Sequence, residues 1–355
     1  MSSTPIPGRG ALSNPDNRYA SVRAEPVYDG WSGHEGPDEN RLHTLSTADH
    51  ARTVISRNRS PDVPFDQSVN PYRGCEHGCV YCFARPTHAW LGLSPGLDFE
   101  SRLFFKPDAA TCLRSELARP GYVCSPIALG TNTDPYQPIE RTRRITRGIL
   151  EVLSGCEHPL SIVTKSGLVT RDIDLLAPMA SRQLARVYVS LTSLDADLKR
   201  TLEPRAASAS RRLETLKTLA DAGIPCGVLI APVIPGINDQ EIEALLAAAR
   251  QAGATAAGWI LLRLPLEVLP LFTQWLRAHY PDRADRVLAL MADCHGGRAY
   301  DSGYGRRMRG SGPIPALLDK RFRLASRKLG FGQLPTLDTH RFVAPEKDTG
   351  QLSLW

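Results

Sequence analysis

The sequence has no uninterrupted apolar run long enough to cross a bilayer, which argues against a helical membrane-spanning protein. No charged N-terminal segment leads into an apolar stretch, so no secretory leader is expected. A dense cysteine framework is also missing: the 355 residues contain eight cysteines, three clustered and five scattered. That spacing argues against a small disulfide-stapled fold and makes a reducing cytoplasm the expected compartment. Nor is there a strong net charge. The formal value of +6 suits an anionic small molecule or a nucleic acid and selects neither.

What is present suits a sizeable core, because 42% of the residues are hydrophobic. Residues 1–50 are rich in Ser, Pro, Gly, Asn and Asp and predict a disordered arm. Beyond an extended segment at 52–56, strand-type runs fall at 65–72, 125–130, 160–164, 186–191, 226–231 and 256–262. Helical spacing falls between them, at 83–92, 109–117, 142–153, 172–182, 209–222 and 239–251, with Gly223 and Gly253 closing the last two. Only helices follow, at 266–279, 284–292 and 315–328.

This alternation predicts an α/β protein with a parallel sheet and right-handed crossovers. Six units are too few for an eight-fold barrel, so the expected fold is an open, partial (β/α)6 barrel of the TIM type. Its segments are a disordered arm (1–50), the barrel (51–265), a helical C-terminal extension (266–341) and a tail (342–355). Function should gather at the carboxyl ends of the strands.

The first strand feeds a loop with Cys75, Cys79 and Cys82 at spacings of four and three, interleaved with Gly74 and Gly78. Three thiols so close indicate a metal site. On the residues alone two chemistries stay open. Zinc would need a fourth ligand, His77 or His88. A four-iron cubane held by three thiolates would leave one iron open to a substrate or cofactor. A zinc- or cluster-stabilised nucleic-acid-binding protein without catalysis is the alternative to an enzyme.

Cys75-x-x-x-Cys79-x-Tyr81-Cys82, just after a first strand, resembles the cluster loop of the radical S-adenosylmethionine superfamily. Asn70 through Cys75, Gly130 through Glu140 and Thr164-Lys165-Ser166 resemble the family related to spore photoproduct lyase. The resemblance implies a [4Fe–4S] cluster on Cys75, Cys79 and Cys82, with S-adenosylmethionine on the open iron. It implies reductive cleavage to a 5′-deoxyadenosyl radical, an external electron donor of flavodoxin or ferredoxin type, and a substrate that includes a DNA lesion among its candidates. Tyr81, Thr131, Asn132, Thr133, Ser190 and Arg205 are the candidate cofactor-binding residues, with Lys165 as a cation for a carboxylate. The segment from Gly130 to Asp134 departs from the superfamily, since Thr and Asn replace most of its glycines.

Other strand ends offer further candidates. Asp195 either binds ribose or caps a helix. The run from Pro232 to Asp239 resembles an apolar wall for adenine. Arg263 either faces substrate or is an exposed loop arginine. The glycine- and arginine-rich stretch from Cys294 to Gly310 suits a nucleic-acid backbone, with Tyr300 and Tyr304 to stack on bases. Cys112, Cys124, Cys156 and Cys226 read as small buried hydrophobes.

Overall fold

A computed structural model describes residues 6–19 and 42–346 of the chain. In chain order the strands are β1 (Leu45–Ala48), β2 (Ile55–Arg57), β3 (Gln67–Val69), β4 (Tyr72–Arg73), β5 (Arg102–Phe105), β6 (Ile127–Leu129), β7 (Leu160–Thr164), β8 (Ala185–Ser190), β9 (Cys226–Val233) and β10 (Ala256–Leu261). The helices are α1 (Asp98–Ser101), α2 (Ala109–Leu117), α3 (Glu140–Arg143), α4 (Ile145–Gly155), α5 (Ile173–Ala180), α6 (Ala196–Leu202), α7 (Ala209–Asp221), α8 (Ile242–Gln251), α9 (Val268–His279), α10 (Ala284–Asp293) and α11 (Pro313–Lys328). Among the described residues no helix is long and apolar enough to cross a membrane.

The main sheet has the order β10-β9-β8-β7-β6-β3-β2. From β3 to β10 every neighbouring pair is parallel, and β2 adds antiparallel on the β3 edge. Strands sequential in space and joined by helices give a mixed α/β fold with a parallel sheet.

Alternation along the strands sets the two faces apart. Leu160, Ile162, Val187, Val189, Val228, Ile230, Trp259 and Leu261 are buried against the helices. Each such side chain contributes about 1.5–3 kcal/mol by leaving water. Ser161, Val163, Arg186, Tyr188, Leu229, Gly258 and Ile260 point the other way and are only half-buried. The sheet therefore has one dry face and one partly open face. Gly223 and Gly253 end α7 and α8 with φ of +72° and +97°.

Several expectations need correction. The expected strand at 65–72 divides into β3 and β4, because Pro71 has no N–H for a ladder. β4 instead joins β1 and β5 in a separate three-stranded sheet, order β1-β5-β4, which local pattern did not announce. The expected arm at 1–50 falls partly on residues 1–5 and 20–41, outside the described residues. Its described parts are placed. Gly10 N and Ala11 N both donate to the buried Glu100 carboxylate at 2.9 Å, and Arg9 Nη1 donates to the Glu100 carbonyl at 2.6 Å. Composition suggested disorder because what holds this segment lies ninety residues away. The expected tail begins packed, with the Phe342 ring 5.4 Å from Tyr122 and 5.2 Å from His158. Residues 347–355 lie outside the described residues.

The C-terminal extension covers the outer edge of β10. Gly332 N donates to Thr255 O at 2.9 Å near its start, and Leu261 N donates to Met308 O at 2.9 Å near its end. An unpaired edge is thereby capped at both ends.

Candidate active site

The cysteine loop lies where the parallel strands end. A cavity of ≈ 120 Å³ is lined there by Cys75, Cys79 and Cys82, by His77, Tyr81 and Phe83, and by Gly130, Thr131, Asn132, Thr133, Asp134, Val163, Thr164, Lys165 and Ser190. Four segments remote in sequence thus meet: the loop and the carboxyl ends of β6, β7 and β8.

The loop needs its glycines. Gly74 and Gly78 adopt φ of +75° and +68°, a region other residues enter only with strain. A side chain on Gly74 would also meet His88, Leu103 and the Phe99 carbonyl within 3 Å. Around them the backbone is pinned by long-range bonds. Cys75 N donates to Phe99 O at 2.9 Å, and Val80 N donates to Leu202 O at 3.2 Å. Gln137 receives Glu76 N at 2.9 Å and donates to Gly74 O at 3.1 Å. The buried Arg85 guanidinium donates to Cys79 O at 2.9 Å and pairs with Glu100. On the far side Gly10 packs so closely that a Cβ there would lie 1.8 Å from Gly78 O.

Burial pushes all three thiols up, Cys75 well above its ordinary value with help from Asp134 and Cys79 to about 12 with help from Glu203. Thiolates in this setting require a strongly positive partner, which a cluster's irons supply. Among the described residues no three His, Cys, Asp or Glu side chains converge on a single ion. A cubane makes no such demand, since its thiolates bind separate irons. Neither candidate fourth ligand for zinc is poised beside the thiols, although His88 Nδ1 has no partner. His77 Nδ1 sits 3.4 Å from Asp134 Oδ2. His88 Nε2 lies 2.9 Å from Arg102 O, and its ring packs on Phe99 away from the cavity lining.

Two buried carboxylates organise the cavity. Asp134 receives Thr164 Oγ1, Tyr136 N and Lys165 N at 2.7–2.8 Å. Burial opposes its charge, but His77 and these donors overcome the penalty and hold its carboxyl at about 2. Glu203 receives the Tyr81 hydroxyl and, at 2.7 Å, Thr192 Oγ1, and it pairs with the buried Arg212. Burial again opposes charge, and Arg212, Lys165 and the hydroxyl donors outweigh it, giving about 2. Arg212 also donates to Ser190 O at 3.0 Å. Glu203 therefore ties the aromatic residue of the cysteine loop to the end of β8.

The candidate residues fall unevenly around this centre. Tyr81, Thr131, Asn132, Thr133 and Ser190 line the cavity. Thr131 Oγ1 and Asn132 N donate to Asn70 Oδ1 at 3.3 and 3.1 Å, and Thr133 Oγ1 donates to Tyr72 O at 3.0 Å. Lys165 Nζ lies 5.9 Å from the centroid of the Tyr81 ring. Arg205 is not among the lining residues; it pairs with Glu76 at 3.0 Å and its N donates to His77 O at 3.2 Å. Asp195 caps α6, receiving Asp197 N at 2.8 Å. Asn238 staples strand ends, donating to Thr192 O at 2.8 Å and Pro232 O at 2.9 Å.

The basic stretch from Arg298 to Arg309 is partly neutralised within the fold, while Arg298 and Tyr304 stay exposed. Arg306 pairs with Asp301 at 2.8 Å, Arg307 with Asp62 at 2.5 Å, and Arg309 lies over Trp259 at 4.9 Å. The Tyr300 ring faces His295 at 5.8 Å. From the sequence alone, Arg205 suits a carboxylate ligand and a surface pair with Glu203 equally, and no expectation attaches to Arg212. Nothing local marks Arg212, which sits in a run of charged and polar residues on α7.

The sequence model of the Radical SAM superfamily matches residues 69–249. An uncharacterised protein of Mycobacterium tuberculosis is 37% identical over 272 residues, 76% of each chain. Another, from Methanocaldococcus jannaschii, is 31% identical over 191 residues, 54% of this chain and 68% of that one. Among solved structures, spore photoproduct lyase complexed with dinucleoside spore photoproduct is similar in fold, with a TM-score of 0.56 at 16% identity over 81% of this chain and 80% of that one. A mutant of that lyase with bound AdoMet and the same dinucleoside gives the same values, TM-score 0.56, 16% identity, and 81% and 80% coverage. Matched from the end of β3 into α8, the chain is an enzyme that belongs to the radical SAM superfamily.

Proposed function

We propose that this protein is a radical S-adenosylmethionine enzyme that holds one [4Fe–4S] cluster on Cys75, Cys79 and Cys82. The observation that carries the reading is the shared cavity: three thiols, two buried and one half-buried, and three strand-end segments line one space. When bound, the cluster and S-adenosylmethionine supply reductive sulfonium cleavage and a 5′-deoxyadenosyl radical for hydrogen abstraction.

The chain's own residues divide the remaining work. Tyr81, Thr131, Asn132, Thr133 and Ser190 form the polar wall for S-adenosylmethionine. Thr131 and Thr133 already donate to neighbours, so the Asn132 side chain is the adaptable hydrogen-bonding group of that segment. Lys165 supplies a positive charge for a carboxylate. Asp134 and Glu203 hold the loop and strand ends in register. Arg205 acts one step away, steadying Glu76 within the loop. The sequential parallel strand order supports a partial (β/α)6 barrel opening at this end. An external flavodoxin or ferredoxin would deliver the electron, and a reducing cytoplasm would keep the thiols competent.

A DNA lesion is one substrate in keeping with the fold likeness to spore photoproduct lyase. The paired arginines of the C-terminal stretch lend that substrate no support. The test is anaerobic reconstitution, reduction and chromatography for 5′-deoxyadenosine. Formation of the nucleoside is expected. A fully loaded, reducible cluster that yields none beside a working control enzyme would overturn the reading.

A further inference from the structure

Among the described residues, the two most deeply buried guanidinium groups are ion-paired. Arg85 holds Glu100, Arg212 holds Glu203, and both also donate to backbone carbonyls. Arg263 is half-buried and, like Arg186, has a buried Nε without an acceptor. It lies two residues past the end of β10, at the carboxyl edge of the sheet. Its guanidinium carbon sits 4.6 Å from the centroid of the Phe83 ring. Phe83 is 41% exposed and lines the cavity together with the three cysteines. The Arg263 guanidinium makes no ion pair among the described residues.

A second observation falls at the same strand end. His295 is 3% exposed, and neither ring nitrogen makes a hydrogen bond of full geometry among the described residues, although the Leu262 backbone is close enough to raise its basicity against the larger lowering by burial. It lies beside the Leu262 backbone and against Tyr300. Its segment is fixed there, since Ser311 N donates to Cys294 O at 2.8 Å and Leu261 N to Met308 O at 2.9 Å. An unsatisfied buried polar group costs about 1–3 kcal/mol. Neither residue lines the cavity itself, but Arg263 reaches it through Phe83 and His295 stands by the adjoining Leu262 backbone; poorly matched polar groups at one strand end are poor stability design and suit recognition. A guanidinium stacked on a ring keeps its planar fork of donors in place, and that fork matches a carboxylate or a phosphate.

We propose that Arg263, with His295 beside it, binds an oxyanion of the substrate, a phosphate or carboxylate group, at the Phe83 side of the cavity. This narrows the substrate of the radical reaction and rests on that reading. The C-terminal extension then contributes to recognition through His295, in addition to covering the edge of β10.

The test is calorimetric titration of the full chain, anaerobically loaded with its cluster. The probes are acetate, inorganic phosphate, thymidine 5′-monophosphate and the dinucleotide d(TpT). Wild type should bind at least one, and the order of preference separates carboxylate, phosphomonoester and phosphodiester. Arg263→Gln should weaken that probe at least about ten-fold, and Arg263→Lys, which keeps the charge and loses the fork, should fall between. Thermal melting of each variant confirms folding. No binding of any probe to wild type, or equal binding to Arg263→Gln, overturns the proposal. So does an equal loss of S-adenosylmethionine affinity in Arg263→Gln, which would assign the cation to the cofactor. Absence of 5′-deoxyadenosine from wild type counts against the radical reading and leaves the anion titration unaffected.

Discussion

At the amino end of the main sheet, side chains close on one another. Tyr122 Oη lies 2.6 Å from Gln67 Oε1 and 2.8 Å from His158 Nε2, Gln67 donates to Val123 O at 3.1 Å, and the Phe342 ring caps the group. At the carboxyl end, Cys75, Cys79, Cys82 and three strand ends leave a cavity between them. In this amino-end cluster the polar groups satisfy one another, although Arg186 Nε, near the start of β8, is buried without an acceptor. The carboxyl end holds buried charges, Asp134 and Glu203, whose donors come from several elements at once, and it leaves Arg263 and His295 unmatched. The same sheet thus carries a stability end and a working end. The working end bears the energetic burden of groups arranged for something other than folding.

The largest effect separates the two ends outright. Replacing Cys75, Cys79 and Cys82 together by Ala should abolish both visible cluster absorbance and 5′-deoxyadenosine formation, while the far-UV circular dichroism stays that of the wild type. Residual nucleoside above background would show that these thiols are not the cluster ligands.

Next comes the charge at the heart of the working end. Glu203→Leu leaves the Arg212 guanidinium buried without its carboxylate and releases the Tyr81 hydroxyl. Urea unfolding should register a loss of about 3–5 kcal/mol. The double change with Arg212→Leu should recover much of it. A single-variant loss below about 1 kcal/mol would mean the pair is solvated rather than buried.

At the stability end, pH is the lever. Burial lowers His158 from 6.5 to about 4, against the Pro159 carbonyl, which raises it. The unfolded chain takes up this proton below pH 6.5, whereas the folded chain resists until about pH 4. Stability is therefore full above the unfolded value and falls as pH drops through that window, by about 3 kcal/mol at most. His158→Gln should flatten the profile, and an unchanged slope in the variant would assign the loss elsewhere.

The smallest expected effect tests the cover behind the cysteine loop. Gly10→Ala would place a Cβ against Gly78 O, and relieving that clash should cost about 1–3 kcal/mol. Faster proteolysis within residues 6–19 and quicker bleaching of the cluster in air should accompany it. Wild-type rates for both would show that the segment does not shield the loop.

Much of this architecture was legible locally. The strand at 160–164 and the helix at 109–117 lie where periodicity put them, because a strand of alternating burial and a helix with one apolar stripe are short-range facts. The cysteine spacing was equally plain. What escaped was pairing at a distance. Arg212 and Glu203 looked like surface residues, since nothing in their neighbours signals burial. The arginines from 306 to 309 read as a uniform cationic run, whereas in the fold each has its own neighbour, Asp301, Asp62 or Trp259. β5 is a run of four residues inside an otherwise helical stretch, and it becomes a strand only because β1 and β4 lie on either side.

The sequence by itself determined the alternation of strands and helices in the main sheet, the glycine-permitted turns of the cysteine loop and the thiols that loop presents. These depend on residue type and spacing within one element. Only the tertiary structure decided that the segment at 6–19 backs the cysteine loop, that Glu203 rather than Arg205 joins that loop to β8, and that Arg263 stands beside the cavity without a partner. Those outcomes depend on which charges and surfaces arrive together once the sheet has formed, and burial makes each such meeting count for several kcal/mol.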